Sequence, residues 1–107
     1  MADQYGFLES YGDDTQAEAY VLRLFITGAS PNSIRAVENL KVICEEHLPG
    51  RYELEIIDIH QQPELAEGED VIALPLLIKK SPLPERRMIG DMSDTKRVLK
   101  GLNLANN

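Results

Sequence analysis

Pro75 stands directly ahead of an apolar run in the stretch Ala73-Leu74-Pro75-Leu76-Leu77-Ile78. A proline entering a strand is unusual, because its ring fixes φ and it has no N–H to give to a ladder. Upstream, Gly28-Ala29-Ser30-Pro31-Asn32-Ser33 closes a first apolar run and opens a helix. Ser30 suits the N-cap, and Pro31 suits the first helical position, where a missing N–H costs nothing. Neither segment contains sulfur.

The rest of the chain is organised around these two points. Residues 20–27 (YVLRLFIT) are nearly continuous in apolar character, as befits a central strand covered on both faces. After the Ser30 cap, Ile34, Val37, Leu40, Ile43, Cys44 and Leu48 share one helical face, and Pro49-Gly50 ends it. Residues 52–59 (YELEIIDI) open with the alternation of a strand. Strand, helix and strand at this spacing form a βαβ unit with parallel strands. Residues 61–70 read as a short polar helix that Pro63 opens, and residues 74–79 as a strand. Ser81-Pro82-Leu83-Pro84 reads as a turn, residues 85–89 as an edge strand, and Ser93 as the cap of a last helix carrying Val98, Leu99 and Leu102. The expected order is βαβαββα, an α/β domain over residues 19–105. Residues 1–18 hold five acids, no base and no sustained period, so a disordered acidic tail is expected there.

Charge is unevenly spread. The chain of 107 residues has a net charge of −7, yet residues 79–107 carry seven bases against three acids. Such a cluster can dock an acidic partner, although a solvated end of the domain has the same composition. Nucleic acid is disfavoured, since the whole chain is acidic and has no basic motif interleaved with aromatics. No apolar run reaches the roughly 20 residues needed to span a bilayer. One cysteine permits no internal disulfide, which fits a reducing cytoplasm.

A proline before a strand, facing a loop that opens a helix, is the arrangement of thioredoxin-like folds, which hold that proline cis. Their redox members carry Cys-x-x-Cys where this chain has Ser30-Pro31-Asn32-Ser33. Further segments are more specific: Pro31-Asn32-Ser33 with Arg35-Ala36, Pro63-Glu64-Leu65-Ala66-Glu67, Ala73-Leu74-Pro75, Arg86-Arg87-Met88-Ile89-Gly90-Asp91-Met92-Ser93, and Val98-Leu99-Lys100-Gly101-Leu102. Together they resemble the KaiB family of cyanobacterial clock proteins over about residues 20–104. The resemblance implies a non-enzymatic thioredoxin-like protein that binds a KaiC-type ring ATPase. KaiA-like proteins or a histidine kinase system are implied as further partners. It also implies a second packing, a ground state ordered βαββααβ and assembled as a tetramer, whereas the thioredoxin-like state is a monomer or weak oligomer.

Within that resemblance, Arg35, Lys79, Arg86 and Arg87 are the expected partner-binding residues. Pro75, Gly101 and Asn103 are the expected determinants of fold. Departures mark a divergent member or paralogue. Glu38, Glu46, Glu55, Gln61 and Asp70 stand where clock members generally carry lysines, and Asn103 stands where an aspartate is usual.

Chemistry is sparse. Cys44 falls on the apolar side of its helix, where a thiol is a core residue rather than a nucleophile. His47 and His60 have no partner at ligand spacing, so neither a metal nor another cofactor is expected. Ser30 and Ser33 are accounted for as helix caps. The enzyme-like alternative is glutathione binding, with Pro75 presenting backbone and the Asp91–Ser93 turn holding the ends of the tripeptide.

Overall fold

The computed structural model describes residues 19–104. The segment 1–18 expected to form a tail lies outside the described residues, as does Ala105 at the expected end of the domain. Seven elements follow in order: β1 (Tyr20–Ile26), α1 (Pro31–His47), β2 (Tyr52–Asp58), a 3-10 turn (Pro63–Leu65), β3 (Leu76–Ser81), β4 (Arg86–Ile89) and α2 (Thr95–Gly101). The strands form one mixed sheet in the order β2-β1-β3-β4. β1 is central and runs parallel to β2 and antiparallel to β3, while β4 returns antiparallel to β3. The second half is thus a hairpin followed by a helix, the thioredoxin-like arrangement and not the βαββααβ order.

Period-2 alternation assigns two apolar clusters to the two faces of the sheet. Leu22 and Leu24 of β1, Leu77 of β3 and Met88 of β4 pack with Ala36, Leu40, Ile43 and Cys44 of α1 and Val98 of α2. On the opposite face, Phe25, Ile57, Leu76 and Ile78 are covered by Leu65, Ala66, Val71 and Leu74 of the segment joining β2 to β3. A strap with one 3-10 turn therefore does on one face what two α-helices do on the other. Each fully buried Leu, Ile or Phe contributes about 1.5–3 kcal/mol.

Three local expectations need correction. The helix expected over residues 61–70 is a single 3-10 turn, Pro63–Leu65, and the left-handed backbone at Gly68 (φ 82°) and Asp70 (φ 53°) bars helix from there on. The strand after Pro75 starts at Leu76, once a ladder N–H is available, and extends to Ser81. Asp94, not Ser93, caps α2: its carboxylate accepts the Arg97 N–H at 3.2 Å. The Leu74–Pro75 peptide is cis, as expected.

Candidate functional site

The loop after β1 is a closed hydroxyl network. Ser30 caps α1 by accepting the Ser33 N–H at 3.2 Å, and its hydroxyl donates to Ser33 Oγ at 2.9 Å. Ser33 Oγ, buried, accepts the Thr27 N–H at 3.1 Å. The hydroxyls are spent on helix N–H groups and on the strand end, which is the capping role expected for them. Beside them Thr27 Oγ1 lies 3.2 Å from His60 Nε2, and Asp58 Oδ1 accepts the His60 N–H at 2.9 Å. That hydrogen bond is the main reason the Asp58 carboxyl is held below the usual carboxylate range. No group of three potential metal ligands occurs among the described residues. None of their helices is long and apolar enough to cross a membrane.

Cys44 is fully buried under the sheet. Burial, and then the neighbouring Glu45 charge, push its thiol up to about 11, far from a reactive thiolate.

The four bases expected at a partner surface sit in different places. Arg35 is exposed on α1 and pairs with Asp91, Nε to Oδ2 at 3.1 Å, while also reaching Asn32 Oδ1. Lys79 is 1% exposed on the α1 side of β3, its Nζ 6.0 Å from the Tyr20 ring centroid. The expectation that Lys79 meets a partner is therefore corrected: strand alternation places it with Leu77, under the helices, and its charge is turned inward. Arg87 lies on the opposite face, 3.5 Å from Glu69 and 3.9 Å from Glu85. Arg86 is exposed on the free edge of the sheet and makes no ion pair among the described residues.

Sequence reasoning missed Glu69. Its side chain is only 16% exposed and is shared by Lys80 (3.1 Å), Arg87 (3.5 Å) and Arg23 (3.6 Å), one base each from β3, β4 and β1. Arg23 also reaches Glu55 on β2 at 3.3 Å. The strap is thereby tied to the face of the sheet beyond its apolar patch. The period-2 placement of Arg23, Lys80 and Arg87 on one face was available beforehand, but the acid that joins them comes from a segment with no period.

The cleft beside the Asp91–Ser93 turn measures about 60 Å³. That admits a few waters, whereas small-molecule sites usually measure about 300–1,000 Å³. Asp91 is also occupied: Oδ1 accepts the Ser93 N–H at 3.1 Å, and Asn39 Nδ2 donates to its backbone carbonyl at 2.9 Å. An open groove of about 350 Å³ runs beside α1, with Ile26, Ile34, Val37 and Lys41 in its lining.

Comparison with known proteins agrees with this geometry. The chain is 47% identical over 87 residues to the circadian clock oscillator protein KaiB of Synechococcus elongatus, covering 81% of this chain and 85% of that protein. It is also 47% identical over 87 residues to KaiB of Nostoc punctiforme, with 81% and 84% covered. Among solved structures, the N-terminal domain of Synechococcus elongatus SasA superposes with a TM-score of 0.66 at 24% identity, covering 92% of this chain and 96% of that one. The Drosophila melanogaster thioredoxin Deadhead gives a TM-score of 0.66 at 14% identity, with 84% and 86% covered. These two likenesses show the fold alone. The KaiB domain matches residues 23–104, and with that span and those relatives the chain belongs to the KaiB family.

Proposed function

We propose that this protein is a non-enzymatic clock-type regulator that acts by binding a KaiC-type ring ATPase in its thioredoxin-like state. The observation that carries the reading is the hydroxyl network at the end of β1. In a KaiB-family chain with a thioredoxin-like scaffold, the place of a redox pair is taken by Ser30 and Ser33, bonded to each other and to backbone. The remaining resource of the fold is its surface. Arg86 and Arg87 on the edge strand and Arg35 on α1 are the proposed contacts; Lys79 is withdrawn because it is buried.

The test is a titration of a purified KaiC-type ring ATPase with this protein by calorimetry, with reduced glutathione titrated in parallel. Saturable binding to the ATPase and none to glutathione is the expected result. Binding to glutathione alone would replace this reading with the small-molecule one.

A further inference from the structure

We infer that the exposed face of α2, continued by Arg86 of β4, is a docking surface for an acidic face on a folded partner protein. The seven bases of residues 79–104 divide into two groups. Lys79 is buried, and Lys80 and Arg87 are held by Glu69 and Glu85. Arg86, Lys96, Arg97 and Lys100 are all exposed and make no ion pair among the described residues.

The nearby acids are all engaged. The same residues contain three: Glu85 faces Lys80 and Arg87, Asp91 holds Arg35 and the Ser93 N–H, and Asp94 caps α2. None is left to neutralise the other four bases. Helix stability does not explain them either. Lys96 and Arg97 occupy the first turn of α2, where the helix dipole disfavours cations, and the acid at that end, Asp94, is engaged with the Arg97 N–H rather than with either side chain. Lys100 alone sits at the favourable end.

The four cations form one surface. α2 packs on β4, where Gly101 lies over Met88, whose Sδ a Cβ at that glycine would meet. Arg86 is two residues before Met88 and so on the same face of the strand, beyond the end of α2 that carries Lys100. Lys96 and Lys100 are neighbours at i, i+4, with Arg97 beside them.

The charge of the whole chain limits the partner. Residues 1–78 carry 15 acids and 4 bases, so a long polyanion such as nucleic acid meets repulsion beyond this patch. A bounded acidic patch on a folded protein does not. This inference rests on the proposed function for its biological partner, but the surface itself can be tested apart from it.

Two measurements do so. First, a short oligoglutamate peptide, small enough to lie within the patch, is titrated at low salt into the isotopically labelled full chain. Amide shift changes gathered on Arg86 and residues 95–101, and lost as salt is raised, are expected. Changes that are absent, or scattered over the surface, would overturn the inference. So would concentration-dependent shifts at these residues in the protein alone, which would assign the face to a second copy.

Second, the variant Arg86→Gln/Lys96→Gln/Arg97→Gln/Lys100→Gln is titrated against a KaiC-type ring ATPase, after its amide spectrum shows that it is folded. Binding should weaken by about tenfold or more and lose most of its salt dependence, while Lys41→Gln stays within about twofold of wild type. Equal binding by the folded quadruple variant overturns this surface and leaves the ATPase reading standing. Failure of the wild type to bind overturns the ATPase reading and leaves the surface to the oligoglutamate result.

Discussion

Arg35 Nε on α1 stands 3.1 Å from Asp91 Oδ2 in the turn before α2, joining residues 56 apart in sequence. Asp91 is the more constrained partner. Its carboxyl is held below the usual carboxylate range by the Ser93 hydroxyl and N–H first, and by the Arg35 guanidinium next. A carboxyl whose folded pKa is depressed contributes stability above its unfolded pKa, near 3.9, and loses that contribution as pH falls through the lower folded value. Asp91→Asn should therefore be less stable than wild type at pH 7, and the two should converge below about pH 4. Urea denaturation at pH 7, 5 and 3 measures the gap. A gap that does not close on acidification would show that the Asp91 charge is not its source.

The Glu69 network predicts a local effect. Glu69→Gln keeps the shape of the side chain but removes the charge that Arg23, Lys80 and Arg87 share. The bases are themselves partly solvated, so the loss should be about 1–2 kcal/mol rather than that of a dry ion pair. Hydrogen exchange should quicken across residues 63–75 while α1 keeps its protection, because Glu69 ties the strap to three strands of the sheet beside its apolar contacts. Uniform acceleration over the whole domain would point to a global contribution instead.

The first half of this fold is legible because its signals are local and periodic. The apolar run of β1, the Ser30-Pro31 helix start and the face made by Ile43 and Cys44 each specify one element by themselves. The strap is different. Leu65, Ala66, Val71 and Leu74 fit no helical or strand period, and they find their places only against Phe25 and Ile57, which are supplied by distant strands. Proline at 63 marks a start, but Gly68 and Asp70 bar helix from there on. The site residues divide the same way. Lys79 looks like its neighbour Lys80 in sequence, and only the face assignment of β3 separates a lysine buried under the helices from one held by Glu69 on the other face. The bases of α2 are visible as a cluster, whereas their lack of counter-ions depends on where Glu85, Asp91 and Asp94 point.

The buried thiol gives a third prediction. With its pKa pushed up to about 11, Cys44 is almost wholly protonated at pH 8 and has no path to solvent. Reaction with a disulfide reagent should be slower in the folded protein than in urea by at least about a hundredfold, and insulin reduction should stay at background. Rapid labelling of the native protein at pH 8 would mean that α1 lifts from the sheet.

The last prediction concerns Asn103 and the choice between two packings. α2 closes in a Schellman motif: Leu104 N–H donates to Leu99 C=O at 2.8 Å, and Asn103 N–H to Lys100 C=O at 3.0 Å. Asn103 itself takes the left-handed backbone, φ 64°, that this motif requires and that asparagine accepts better than most side chains. Leu104 is then delivered onto the core beside α1. Asn103→Asp would place an anion at the end of α2 where the carbonyl dipoles are negative, costing about 0.3–1 kcal/mol. Asn103→Gly should be neutral or slightly stabilising, since glycine adopts the same backbone without a Cβ. If two packings lie close in energy, a loss of about 1 kcal/mol in this one raises the other roughly fivefold. The wild type should give helical backbone shifts over residues 95–101 and sediment as a monomer. Asn103→Asp should lower its denaturation midpoint and increase any second set of resonances. Strand-like shifts across residues 96–102 in a wild-type tetramer would show that the closing helix is not the resting state.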